Sequence, residues 1–411
     1  MKATSAGVVR IYLVLTLLYT LAASFIWGVN TLFLLDAGLN NAQAFAANAF
    51  FTLGQVLFEV PTGIVADTLG RRTSYLIGTI TLAISTLLYL SGWYTHASMW
   101  WWAISSILLG LGFTFFSGAT EAWLVDALAF TKYKGSLESV FAKAQIVGGI
   151  AMLTGSVAGG LIAQFTNIGV PYIVRAAVLG LTFVVAFFWM KDLGFTPKPR
   201  GKVLKSMKET FTTSIQFGFK NPSIRWIMLA SPWSVGVSFY AFYAMQPFLL
   251  KLYGDPKAYM IAGLAAAIVA GAQIVGGITV PYIKNLFSRR TSVLLTGVIV
   301  STVLLLLLGF TTNFYIAIAL LIVWGLVSAA TAPVRQSYLN GLIPSEQRAT
   351  VLSFDSLIGS SGGIFIQPVL GRVADVWSYP LSYSVGAAFQ IIALPFIVLA
   401  QKRHPKADTI T

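Results

Sequence analysis

Long apolar runs, each about as wide as a bilayer and parted by short polar junctions, fill this chain from end to end. A helix rises 1.5 Å per residue, so about 20 such residues cross a hydrocarbon core of ~30 Å. The pattern predicts twelve spans, near residues 11–35, 45–66, 73–92, 99–127, 137–165, 171–191, 226–250, 258–283, 291–310, 314–339, 349–371 and 380–400. The one long polar connector runs from Lys191 to Arg225. Within it Val203, Met207, Phe211 and Ile215 recur at helical spacing. They predict an amphipathic helix on the inner membrane surface, with its lysines on anionic lipid; a flexible linker is the alternative.

Composition agrees with the pattern. Hydrophobic residues make up 57% of the 411 and charged residues 10%, against roughly a quarter charged in soluble domains. The expected fold class is an all-α membrane protein. The first run, Ile11–Leu35, is too long for a signal peptide and reads as a true span. There is no cysteine, and the two histidines, His96 and His404, lie at segment ends. No nucleophile–His pair or metal cluster can be assembled, so neither an enzyme nor a cofactor or metal site is expected.

The formal net charge of +14 follows one side of the membrane, which argues against nucleic acid. Twenty-one of the 27 Lys and Arg fall in the even-numbered connections, the termini and the central segment. Lys251, Lys257 and Arg372 alone fall on the other side. That asymmetry places both termini in the cytoplasm.

The two halves repeat. Gln55 and the tetrad Arg71-Arg72-Thr73-Ser74 align to Gln273 and Arg289-Arg290-Thr291-Ser292 at an offset of 218. Ala119-Thr120, Leu128, Val140, Gly148 and Gly160 align to Ala330-Thr331, Leu339, Val351, Gly359 and Gly371 at an offset of 211. The expected organisation is a six-helix bundle over 1–192, a cytoplasmic linker over 193–221 and a second six-helix bundle over 222–411.

Between spans 2 and 3 stands Gly63-x-x-x-Asp67-x-x-Gly70-Arg71-Arg72, preceded by Glu59-Val60-Pro61-Thr62. This loop resembles the signature of the major facilitator superfamily of transporters, and with the stretch from Ser117 to Asp126 it looks like drug-exporter-type bacterial members. The resemblance implies twelve helices in two bundles, alternating access and a bacterial inner-membrane location. It implies a gating role for Gly63, Asp67, Gly70, Arg71 and Arg72: Gly63 for close helix approach, Asp67 on the start of span 11, and Arg71 paired with Asp126. Arg335, in the cytoplasmic half of span 10, is grouped with these gating residues. Gly155-Ser156-Val157-Ala158-Gly159-Gly160 resembles the antiporter signature with Ser156 in place of proline. Ordinary packing of spans 5 and 8 explains it almost equally well. Many proton-coupled relatives carry an Arg early in span 4, and this chain has none there.

A lone charge within the hydrocarbon costs on the order of 3 kcal/mol or more, so acids inside spans must pair, reach water or bind protons. Glu121 and Glu59 are the leading candidates for reversible protonation, followed by Asp355, with Arg175 as a substitute for the missing Arg of span 4. Static ion pairs with Arg335, Arg175 or Lys143 are the alternative. The substrate cavity is expected from Trp27 and Asn30 of span 1, Gln55 of span 2, Trp233, Tyr240, Tyr243 and Gln246 of span 7, and Gln273 of span 8. For the rings alone, a lipid-facing belt is the competing reading. These residues predict proton-coupled export of a small amphipathic molecule or drug, the alternative being a uniporter or symporter of a metabolite or lipid-like compound. The partners expected are the small-molecule substrate, protons and membrane lipids, and a twelve-span bundle can act as a monomer.

Overall fold

The computed structural model describes residues 4–197, 199, 212, 219–284, 286–343, 348–403 and 406–410, so the predicted amphipathic helix lies almost wholly outside the described residues. The described secondary structure is helical apart from one isolated bridge between Arg289 and Thr409. In chain order the helices are α1 Ser5–Trp27, α2 Asn30–Asp36, α3 Asn41–Leu69, α4 Arg71–Thr95, α5 Met99–Thr114, α6 Ala119–Phe130, α7 Leu137–Phe165 and α8 Val170–Trp189. The second half holds α9 Pro222–Tyr253, α10 Tyr259–Lys284, α11 Arg290–Phe310, α12 Phe314–Leu342, α13 Arg348–Val376, α14 Tyr379–Ile391 and α15 Ala393–Gln401.

Three predicted spans are built from two helices each. Span 1 breaks after Trp27, span 4 after Thr114 and span 12 at Ile392. Span 4 restarts from Gly118, whose φ of 66° lies in the left-handed region that glycine enters freely, so Glu121 falls in the first turn of α6. Eleven described stretches are long and apolar enough to cross a membrane. The remaining expected span, α13, has the length at 29 residues but carries Asp355, Gln367, Arg372 and Asp375. Such a helix is tolerated only where protein or water satisfies those groups.

The chain forms two compact units. Unit 1 comprises Met1–Gly38, Phe50–Met207 and Ala258–Ala267; unit 2 comprises Leu39–Ala49, Lys208–Lys257 and Ile268–Thr411. Each unit therefore holds a short segment from the other half of the sequence: the start of α10 in unit 1 and the start of α3 in unit 2. At the repeat offset of 218 these two segments correspond, so the exchange is itself part of the repeat.

In unit 1, α1 packs on α7 and α8, and α4 on α5 and α8. Phe33 stacks on Tyr172 at 3.9 Å, and the Tyr89 and Ser106 hydroxyls bond at 2.6 Å, so the ring cluster satisfies its polar tips as it buries its faces. In unit 2, α9 packs along α13, and α11 on α12 and α14. Its core gathers Ile224, Met228, Tyr338, Val351 and Ile397.

Both units close one end alike. Asp192, just past α8, accepts from the Arg72 backbone N–H at 2.8 Å and caps α4. Asp408, just past α15, accepts from the Thr291 N–H and hydroxyl, each at 2.8 Å, and caps α11. A carboxylate at a helix start satisfies orphan donors and meets the positive end of the dipole. Burial raises the Asp192 carboxyl above its ordinary value, against the lowering pull of Arg72 and Arg71.

Candidate functional site

Two cavities open inside the units, one in each. The unit 1 cavity holds about 390 Å³ and is lined by α1, α3, α4 and span 4. It brings together Gln55, Glu59 and Glu121, three of the residues singled out from sequence. Glu59 accepts a hydrogen bond from the Ser117 hydroxyl at 2.6 Å. Among the described residues neither Glu59 nor Glu121 has an ion-pair partner, so the static pairs weighed from sequence are not formed there. Tyr12, Tyr19, Tyr75, Phe113 and Phe116 supply the aromatic wall, with Tyr19 stacked on Phe116 at 4.5 Å.

Arg175 lies just behind that wall. It is 2% exposed, donates from Nε to the Thr86 hydroxyl at 3.0 Å, and sits 5.9 Å from the centre of the Phe113 ring. A cation over a ring face is favourable, and more so out of water. Its side chain is not among those lining the cavity, whereas Phe113 is.

The unit 2 cavity is larger, about 480 Å³, and is walled by α9, α11, α12, α13, α14 and α15. Arg335 and Asp355 meet here as a bidentate pair, Nη1 to Oδ2 at 2.7 Å and Nη2 to Oδ1 at 2.6 Å. Around them stand hydroxyls from Ser231, Ser234, Ser301, Ser328 and Thr331. The Gln336 and Gln390 amides complete the polar wall. None of these hydroxyl or amide residues was singled out from sequence. A signal was present: Ser231, Ser234 and Ser238, and likewise Ser328, Thr331 and Arg335, recur at i, i+3, i+7, which is one helix face.

The two cavities occupy the same place in the repeat. Tyr12, Leu15, Thr16, Tyr19 and Thr20 of unit 1 correspond, 215 residues on, to Ile227, Ala230, Ser231, Ser234 and Val235 of unit 2, and all ten line their cavities. Ser117, Thr120 and Glu121 correspond in the same way to Ser328, Thr331 and Ala332 at the offset of 211.

Other expected lining residues sit elsewhere. Trp233 packs beside Phe389 at 6.3 Å, and Tyr240 bonds the Ser382 hydroxyl and packs on Tyr383. Tyr243 packs edge-on to Phe242, and Gln246 is fully buried. On α9 the serine stripe, not the aromatic stripe, faces the unit 2 cavity. In unit 1, Asn30 accepts from the Tyr172 hydroxyl at 2.9 Å and Trp27 ends α1, while Gln273 is half-buried on α10 in unit 2.

The loop of gating candidates is corrected in two places. Arg71 pairs with Asp67 at 2.6 Å, not with Asp126, because the sharp turn at Gly70 brings the two ends of that junction together. Asp126 lies half-buried, its carbonyl beside Gly194. Among the described residues a Cβ on Gly63 meets nothing within 4 Å, whereas one on Gly54 would strike Ile107 at 2.5 Å. Gly70 is required, with φ of 109° and no room for a Cβ beside the Asp192 carboxylate. Arg72 reaches the Phe187 carbonyl at 2.6 Å. The side chains at the start of α13, where Asp67 was expected to bond, lie outside the described residues. In α7, Gly160 approaches Gly263 of α10 as expected, but Gly155 and Gly159 face Ser24 and Phe25 of α1.

The model of the Major Facilitator Superfamily matches residues 12–285 and again 262–410. The uncharacterized MFS-type transporter MJ1560 of Methanocaldococcus jannaschii is 21% identical over 382 residues, which cover 90% of this chain and 92% of that protein. The nucleoside transporter NupG superposes with a TM-score of 0.77 at 14% identity, covering 97% of this chain and 99% of its own. A bacterial homolog of the human lysosomal transporter Spinster, inward-facing and unoccupied, gives 0.76 at 15% identity and covers 99% of both. A D-xylose–proton symporter gives 0.67 at 15% identity, covering 95% and 96%. With a pattern of bilayer-length helices repeated in each half and a family match over nearly its whole length, the chain belongs to the Major Facilitator Superfamily, and is a multi-pass membrane transporter of small molecules rather than an enzyme.

Proposed function

We propose that this transporter works by alternating access and couples export of a small amphipathic molecule to proton entry, with Glu59 and Glu121 carrying the protons. One observation supports the reading above the rest: both carboxyls and Gln55 converge on a single aromatic-walled cavity with no cation paired to either acid among the described residues. Proton coupling needs an ionisable group that meets water from one side and then the other, and a carboxyl on a cavity wall can do so. The basic residues on one side of the spans support a cytoplasmic location for both termini in a bacterial inner membrane, with the central basic segment on anionic lipid. A single chain holds both cavities, so a monomer suffices.

Proteoliposomes with an imposed pH gradient test the coupling. Glu121→Gln and Glu59→Gln should each abolish gradient-driven flux while leaving downhill exchange. If gradient-driven flux persists in both, the acids are wrongly assigned. A second reading, a uniporter or symporter of a polar metabolite, is favoured by the hydroxyl-lined unit 2 cavity. Flux indifferent to pH on both faces would support it.

A further inference from the structure

We propose that the unit 2 cavity is a binding site for an uncharged solute rich in hydroxyl or amide groups. The proposal rests on the transport reading but not on its proton coupling. The cavity wall carries side chains that are buried and yet lack partners. Ser231, Ser301 and Gln390 are each 5% exposed, line the cavity, and have no side-chain hydrogen bond among the described residues. Ser234 and Ser328, half-buried on the same wall, are in the same position. Polar groups on a cavity wall are met by water or by a polar solute, whereas an apolar occupant would leave each unsatisfied, at a cost of about 1–3 kcal/mol.

The charge balance of the wall selects the class. Arg335 and Asp355 neutralise one another, and Arg335 spends two of its five N–H donors on the carboxylate. The other donors have no protein partner among the described residues and remain for a carbonyl or hydroxyl oxygen. A free anion would meet the Asp355 carboxylate beside its only cation, and a free cation would meet Arg335. Either ion would bring an unbalanced charge beside a pair that is already neutral and whose carboxylate is almost fully enclosed. An apolar molecule would strand the hydroxyls and the Gln390 amide. A neutral polyol, glycoside or nucleoside-like molecule satisfies donors and acceptors together and leaves the ion pair whole. A volume near 480 Å³ lies within the ~300–1,000 Å³ of small-molecule sites. The unit 1 cavity differs at two matching positions: Tyr19 and Glu121 stand where unit 2 has Ser234 and Ala332.

Thermal-shift titration of the purified full chain tests the class with matched probes. N-acetylglucosamine, glucosamine and glucuronate share one ring and differ in charge; uridine, sorbitol and maltose extend the neutral set. At least one neutral probe should raise the melting temperature in a concentration-dependent way, and glucosamine and glucuronate should not. Gln390→Leu should weaken that probe at least ten-fold, and Ser301→Ala and Ser231→Ala, which remove one atom each, several-fold without altering the unliganded melting temperature. Glu121→Gln, in the other cavity, should keep the affinity within two-fold. Stabilisation by a charged probe in preference to its neutral analogue overturns the proposal, as does a neutral probe that binds Gln390→Leu and Ser301→Ala as it binds the parent. Failure of every neutral probe to stabilise the protein also overturns it. Neutral binding together with flux that ignores the pH gradient sinks the coupling and spares this site.

Discussion

Unit 1 and unit 2 place a cavity at the same point of one repeat and fill it with opposite chemistry. Where unit 2 has Arg335 and Asp355, the repeat offset of 211 gives Leu124 and Ala144 in unit 1, both buried and apolar. Where unit 1 has Glu121, unit 2 has Ala332. A duplicated scaffold thus holds unpaired acids on one side and a neutralised pair on the other. A few side chains, Glu121 in one unit and Arg335 and Asp355 in the other, account for the difference.

The largest test removes half of the pair. Arg335→Leu should cost about 3 kcal/mol, because the Asp355 carboxyl, 5% exposed, loses both of its donors. Arg335→Leu with Asp355→Leu, which makes this wall resemble its unit 1 counterpart, should recover most of that loss in the melting temperature of purified protein. A double variant as unstable as the single would mean that the pair is not what the wall depends on.

The junctions before α4 and α11 give the next contrast. Gly70→Ala forces a side chain into the left-handed region and against Asp192, at a cost of about 2 kcal/mol. Ser288 stands at the matching position of unit 2, exposed, with only its carbonyl engaged, by the Ile410 N–H at 3.1 Å. Ser288→Ala should therefore be silent in the same denaturation series. Equal effects at both positions would dissolve the difference between the two junctions.

Much of this was legible in the residues. Hydrophobic runs fixed the spans, and the recurring tetrad Arg71–Ser74 and Arg289–Ser292 exposed the repeat. Glu59, Glu121 and Gln55 were legible because acids and amides are costly in a span and must share a polar place. The unit 2 cavity was not. Serine and threonine are cheap in membrane helices, since each can bond its own helix, as Thr331 does to the Val327 carbonyl at 3.0 Å. A serine stripe therefore looks like any other stripe until its neighbours are known. With no water-facing side to subtract, periodicity on α9 separates the Ser231–Ser238 face from the Trp233–Tyr240 face but does not say which is inward. Arg71 was paired wrongly for a related reason: the turn at Gly70 decides what it reaches, and φ is not written in the spacing.

The smallest contrast lies at the starts of α3 and α10. Asp375 of α13 accepts from the Asn41 N–H, the Asn41 amide and the Ala42 N–H, each at 2.8 Å, and so caps α3 inside unit 2. Its repeat counterpart, Gln164 of α7, accepts only from the Met260 N–H, at 3.3 Å, inside unit 1. Beside each stands the repeated glycine, Gly371 against the Asn41 carbonyl and Gly160 against Gly263, so both helix starts are seated on bare backbone. Three charge-assisted bonds against one long neutral bond predict unequal losses. Asp375→Ala should cost about 1–2 kcal/mol, a capping loss, and speed amide exchange in the peptide that begins at Asn41. Gln164→Ala should cost a few tenths of a kcal/mol and barely change exchange at Met260, since neutral bonds to part-exposed groups contribute little net. Faster exchange at Met260 than at Asn41 in the two variants would reverse the ranking, and would mean that the glycine seats rather than the caps hold these helix starts in place.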